Sequence, residues 1–124
     1  MDKNIQEALA RGGLINITTV GAQSGKPRRI EIVFHNIGGR IYISGMPSRQ
    51  RRSWIANLSS NPTLTFHLVR PVRADLPARA RIIDDAGERR QVLTQVAKNW
   101  KRNDVDTMVE YSPLIEVTLE NQAA

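Results

Sequence analysis

Gly38-Gly39, set between Ile37 and Arg40, constrains the architecture of this chain more than any other dipeptide in it. Both positions tolerate the positive φ of a primed two-residue turn, whose twist suits antiparallel strands, so the segments on either side are expected to pair as a hairpin. The flanking pattern agrees. Ile30, Ile32 and Phe34 alternate with Arg29, Glu31 and Val33 before the turn, and Ile41 to Ser44 follows it. The same period of two recurs in Leu14 to Val20, with Ile15, Ile17 and Thr19 on one face, and in Leu64, Phe66 and Leu68. A polar bend flanked by Pro71 and Pro77 leads into a strand from Ala78 to Ile83 that carries Arg79 and Arg81. Ile115, Val117 and Leu119, alternating with Glu116, Thr118 and Glu120, make a closing strand.

Helical spacing appears where alternation lapses. Trp54, Ile55 and Leu58 share one side of a short helix, which Asn61-Pro62 ends because the residue before proline is driven out of helical conformation. After a turn at Asp84-Asp85-Ala86-Gly87, the residues Val92, Leu93, Val96, Ala97 and Trp100 recur at helical intervals from Glu88 onward and predict an amphipathic helix packed on the sheet. A short amphipathic stretch precedes Gly12-Gly13. The expected class is α+β: a six-stranded antiparallel barrel with two to three peripheral helices, since closure removes exposed edges. Its 124 residues are read as one domain, 1–124, long enough to bury a core without metal or disulfide support.

Composition narrows the chemistry. The absence of cysteine removes disulfide frameworks, thiolate nucleophiles and cysteine-ligated metals, and two histidines far apart make a poor metal site, so no metal is expected. Met1 to Ala10 has no apolar run suited to a signal peptide or membrane span, so no membrane span and a cytoplasmic location are expected. A formal net charge of +6 favours an anionic partner, whether nucleic acid, membrane surface or phosphorylated small molecule.

Two arginine-rich turns sharpen that choice. The first runs from Gly21 to Arg29 between two strands and carries Ser24, Gly25, Lys26, Pro27 and Arg28; the second runs from Ser44 to Trp54 between a strand and a helix and carries Gly45, Met46, Pro47, Ser48, Arg49, Arg51 and Arg52. Small residues let backbone N–H groups approach an anion, hydroxyls donate further bonds, and arginine forks match phosphate geometry, so the two turns together read as a site for a phosphate-bearing cofactor. The first turn is not a nucleotide-triphosphatase loop: three residues rather than four separate the glycines, Pro27 stands where a magnesium-binding hydroxyl belongs, and a strand follows. If Ser48 or Ser53 caps the helix, its free N–H groups point at the same anion.

Plainer roles stand beside these. Lys26, Arg28 and Arg29 also suit a solvated loop, Trp54 suits the core with Ile55 and Leu58, and His67 faces solvent, a partner or the groove with a structural role. Glu31 suits pairing with Arg29 or a cross-strand cation, and Arg79 and Arg81 suit a surface network with Glu116, Glu120 or Asp84-Asp85. Tyr42 and Tyr111 suit a pocket wall or an ordinary half-buried tyrosine. Two other classes remain open from the residues alone: a small basic barrel that binds single-stranded nucleic acid, which the six aromatic side chains serve poorly, and a cofactor-binding protein without turnover.

Thr18-Thr19-Val20-Gly21 with Ser24-Gly25-Lys26-Pro27-Arg28, followed by Trp54-Ile55-Ala56-Asn57-Leu58-Ser59-Ser60-Asn61-Pro62, resembles the deazaflavin-dependent nitroreductase and quinone-reductase family, and the likeness covers most of the chain. His67-Leu68 and Ala74 to Arg81 resemble one branch of it. The resemblance implies a split β-barrel, related to flavin reductases and pyridoxamine-phosphate oxidase-like proteins. It further implies a homodimer that binds a deazaflavin (coenzyme F-420) or FMN and passes hydride to a small-molecule acceptor, a quinone or nitro compound, with no nucleic-acid partner. Carried onto this sequence, it places Ser24, Lys26, Pro27, Arg28 and Arg29 on the cofactor phosphates. Ser44, Gly45, Pro47, Ser48, Arg51, Arg52 and Trp54 form the second wall of one groove, and Tyr111 lies against the acceptor. No catalytic side chain is expected, because the cofactor carries the chemistry. The chain departs from the family pattern in Glu31, which stands where a proline is common, in Arg49, Arg51 and Arg52, which replace a lysine and prolines, and in a C-terminal tyrosine wall reduced to Tyr111.

Overall fold

A computed structural model of the protein describes residues 2–120. Six antiparallel strands, β1 (Gly13–Val20), β2 (Pro27–Ile37), β3 (Arg40–Ser44), β4 (Thr63–Leu68), β5 (Ala74–Ile82) and β6 (Leu114–Leu119), close into a barrel in the order β1-β2-β3-β6-β5-β4. Four helices accompany them: α1 (Lys3–Arg11), α2 (Ser53–Ser60), α3 (Ala86–Trp100) and α4 (Val105–Tyr111). The hairpin forms at its expected place. Gly38 and Gly39 take φ of 61° and 86°, and Ile37 pairs with Arg40 across the turn.

The alternation of each strand sorts its side chains between the barrel interior and the outside. Ile15, Ile17, Phe34, Ile43, Phe66, Ala78, Ile115 and Leu119 fill the interior, where the Phe34 and Phe66 rings meet edge to face at 5.1 Å. A second core lies outside the barrel, where Val92, Leu93 and Val96 of α3 and Met108 of α4 pack with Tyr42, Ile83 and Leu114.

Three elements differ from the sequence reading. β5 begins at Ala74, four residues early, with Pro77 inside it. Pro77 pairs with Thr65 of β4 but lies one residue beyond Ala78↔Leu119, the last pair with β6, so its missing N–H falls where that ladder has ended. α3 begins at Ala86 rather than Glu88, because Asp85 caps it by accepting from the Glu88 N–H at 2.8 Å. α4 has no counterpart in the reading; it is seven residues long and buries only Met108.

Candidate functional site

The first turn is locked into shape from within and from outside. Gly21 donates to the Lys26 carbonyl at 2.8 Å, Gly25 donates to the Gly21 carbonyl at 2.9 Å, and the Ser24 hydroxyl accepts from the Lys26 N–H at 3.1 Å. A Cβ on Gly21 would lie 2.5 Å from the Ser24 Oγ and would push that hydroxyl off its bond, while Gly25 sits at φ 68°, a conformation that favours glycine. From α2, the buried Asn57 accepts from the Ala22 N–H at 2.9 Å and donates to the Thr19 Oγ1 at 3.0 Å. One amide thus fixes the turn to the helix. Between them lies a cavity of about 570 Å³ bounded by Gly21, Ser24, Arg28, Ile30, Trp54 and Asn57.

Strand alternation divides the cations of this turn. Arg28 shares the Ile30 face and reaches the cavity, whereas Arg29 lies on the other face and donates from Nε to the Asn16 Oδ1 at 3.3 Å. Lys26 and Pro27 are exposed beside it but are not among the residues that line it. Trp54 is both things foreseen for it, a 9% exposed core residue and part of the cavity wall.

The second turn opens elsewhere. Ser44 is buried and donates from Oγ to the Pro113 carbonyl at 2.7 Å, and the Ser48 N–H is taken by the Tyr111 carbonyl at 3.1 Å. A Cβ on Gly45 would lie 3.1 Å from the Pro113 ring, so that glycine serves close packing. Arg52 donates from Nη2 to the Met46 carbonyl at 2.9 Å, while Arg102, paired with Asp104, reaches the Met46 sulfur. Ser48, Arg51, Arg52 and Tyr111 line a separate cavity of about 490 Å³ together with Arg49 and Arg89. Ser44, Gly45 and Pro47 line neither cavity. The two arginine turns therefore flank the start of α2 rather than facing each other across one groove of this chain.

No side chain caps α2: Arg52 occupies the cap position, and Ser48 turns its hydroxyl to the Gln50 N–H instead. The first intrahelical bond runs from the Ile55 N–H to the Arg52 carbonyl at 3.1 Å, which leaves the N–H groups ahead of it available to a ligand. Trp54 on one side and Ile55 on the other place that helix start between the two cavities.

Two residues to which the sequence reading gave no site role matter here. Arg89 ties α3 to the end of β5 and to α4 with its C-cap, donating to the carbonyls of Ile83, Met108, Val109 and Ser112 at 2.5–3.3 Å, and no described carboxylate pairs with it. Burial lowers its affinity for a proton from the ordinary arginine value, with Asp84 acting the other way. An arginine on an amphipathic helix reads as solvated, and only the fold shows the carbonyl cluster it serves. Asn57 had a signal in the Trp-x-x-Asn-Leu spacing, though its partners are 35 and 38 residues away.

The remaining polar candidates are structural. His67 is 8% exposed and joins Thr18 Oγ1 at 2.7 Å to Asp75 Oδ1 at 2.6 Å on the outer barrel face, and the His67 bond holds the Asp75 carboxyl below its ordinary range. Glu31 takes no ion pair among the described residues. Arg81 joins Glu88 and Glu116, which raises its own proton affinity and lowers that of Glu88, whereas Arg79 joins no such network among the described residues. Among the described residues no cluster of His, Cys, Asp or Glu could hold a metal, and no helix is long and apolar enough to cross a membrane.

The donor set of the first cavity fits a phosphorylated, ring-bearing cofactor. Ser24, Arg28 and the uncapped start of α2 supply a hydroxyl, a guanidinium and backbone donors, while Ile30 and Trp54 supply apolar wall.

Solved structures share this fold at low identity. A conserved hypothetical protein of Mycobacterium tuberculosis superposes with a TM-score of 0.75 at 16% identity, over 97% of this chain and 81% of its own. A protein described as an F420 reductase gives 0.73 at 13% identity over 96% and 95%, and HutZ, the heme storage protein of Vibrio cholerae, gives 0.71 at 18% over 96% and 89%. At these identities the likeness establishes architecture alone. No curated protein matches the chain closely enough to count as a relative. The sequence model that does match spans residues 2–120, the turn, lock and helix start included, and by it the chain belongs to the F420H2-dependent quinone reductase family of deazaflavin-using oxidoreductases.

Proposed function

We propose that this protein is a cytoplasmic, homodimeric reductase that takes a hydride from a reduced deazaflavin, in preference to FMN, and delivers it to a small organic acceptor such as a quinone or nitro compound. The observation that carries this reading is the first turn held by Asn57 against the uncapped start of α2, with Arg28 beside it. When bound, the deazaflavin supplies the hydride. The chain's own part is to hold the cofactor's anionic portion with Ser24, Arg28 and the N–H groups that open α2. Ile30 and Trp54 shield the adjoining surface from water, and Lys26 and Arg29 at the rim add to the field that attracts an anion.

The nucleic-acid reading gains no support from the geometry. Phe34 and Phe66 are enclosed in the barrel, Tyr42 and Trp54 are buried, and the described surface has no row of aromatics on which successive bases could stack. Titration of the purified protein with reduced deazaflavin and with FMN, followed by cofactor fluorescence, tests the proposal. Saturable binding that favours the deazaflavin and weakens about 10- to 100-fold in Arg28→Ala, the range of a charged hydrogen bond, is the expected result. An Arg28→Ala, Ser24→Ala variant that binds as well as wild type would refute the assigned site.

A further inference from the structure

The second cavity has a character that the cofactor reading does not use. Its floor is apolar, formed by Ile55, Ile82, Val109 and Leu114, and its rim carries Arg49, Arg51 and Arg52. Arg89 closes the inner wall. Against these four arginines stand two acids, Asp84 and Glu110, and none of the six forms an ion pair among the described residues. The Arg49 guanidinium lies 5.4 Å from the centre of the Tyr111 ring, so a cation and an aromatic face are already placed together at the mouth. Two buried polar atoms of the wall, Arg52 Nε and Ser112 Oγ, have no hydrogen-bond partner, and Ser112 is only 4% exposed. An apolar slot whose cations outnumber its acids and lack carboxylate partners, with Arg49 and Arg51 exposed at its mouth, is complementary to a flat ring that bears an anionic group.

We infer that this cavity is the acceptor site and that it selects a reducible aromatic acid, a nitroarene or naphthoquinone that bears a carboxylate, whose ring lies on the apolar floor and whose carboxylate meets the Arg49 and Arg51 guanidinium groups. Consecutive residues at the start of α2 line the two cavities, so the cavities adjoin there and the reacting ends of cofactor and acceptor would meet beside that helix start, in the contact that hydride transfer needs. In the reaction a quinone acceptor gains a hydride from the reduced cofactor and a proton from water, becoming a hydroquinone, while the cofactor is oxidised by two electrons. The acceptor role rests on the proposed function; the aromatic-acid site does not.

The test separates them by using probes that undergo no reduction. Calorimetric titration with 2-naphthoate and with its neutral counterpart 2-naphthamide is expected to show the acid binding at least 10-fold more tightly. That preference should fall to within 3-fold in Arg49→Gln, Arg51→Gln, whose side chains are exposed and make no hydrogen bond or ion pair among the described residues. Naphthoate should bind the deazaflavin-loaded protein as well as the free one. Equal affinity for acid and amide, or a preference untouched by the double variant, would overturn the inference. Mutual displacement of naphthoate and deazaflavin would also overturn it, by assigning the cavity to the cofactor. Failure of deazaflavin to bind at all would instead remove the proposed function and leave the naphthoate isotherms to judge the site.

Discussion

Asn57→Ala should unmake the connection between the first turn and α2, and the structure sets the size of the effect. The substitution removes two hydrogen bonds, each worth roughly 1 kcal/mol net. Ala22 is exposed and its N–H can turn to water, but Thr19 is 2% exposed and its hydroxyl is left buried without that partner, at a further cost of about 1–3 kcal/mol. The total is roughly 3–5 kcal/mol, a large share of the ~5–15 kcal/mol that holds a domain of this kind folded. Urea unfolding followed by circular dichroism would register it as a lower midpoint at unchanged slope. The sharper assay is the effect of Thr19→Val in two backgrounds. In the wild type it strands the Asn57 amide and should destabilise by about 1 kcal/mol or more; in Asn57→Ala it removes the stranded hydroxyl and should restore about 1 kcal/mol. A Thr19→Val change of the same sign and size in both backgrounds would refute the lock.

Other expectations follow from the same geometry. Arg89→Met should destabilise by about 3 kcal/mol or more, because four carbonyls lose their donor, and Arg89→Lys should rescue little, since a point charge cannot span four acceptors; urea midpoints and hydrogen exchange in α4 would show it. Arg28→Ala should weaken deazaflavin binding about 10- to 100-fold while Arg29→Ala, on the other face of β2, changes it less than 3-fold, as fluorescence titration would report. Burial holds the His35 imidazole below its ordinary pKa of 6.5, so between that value and its folded one the unfolded chain binds the extra proton. Its contribution is therefore complete above pH 6.5 and is lost as pH falls through the folded value, and the urea midpoint of wild type should drop more between pH 7.5 and 5.5 than that of His35→Gln.

Most of the barrel was legible because its strands keep strict alternation and its hairpin needs two consecutive positive φ values. The misread boundaries come from places where a local signal has two meanings. Asp84-Asp85-Ala86-Gly87 is good turn composition, yet Asp85 followed three residues later by Glu88 is equally a helix start, and packing of Val92 and Leu93 on the barrel selects the helix. Pro77 reads as a strand boundary until the neighbouring strand is known to stop beside it. α4 was beyond reach: seven residues with one buried side chain give no periodicity to read, and what holds the segment is the distant Arg89.

The site was legible in its parts and not in its assembly. Alternation along β2 already assigns Arg28 to the face of Ile30, Ile32 and Phe34 and Arg29 to the other, so the division of that cationic pair follows from sequence and elementary geometry. Whether two turns reach one ligand is a different kind of question. It depends on how a helix begun at Ser53 crosses the barrel end, and that is set by Asn57 reaching back 35 residues to Ala22 and by Arg52 folding onto Met46. Those contacts put the helix start between the turns and make two compartments, one with backbone donors and one with guanidinium groups that have no carboxylate partner among the described residues. Adjoining compartments with different chemistry let each partner be recognised on its own terms, while the hydride itself passes only where the two ligands come into direct contact beside that helix start.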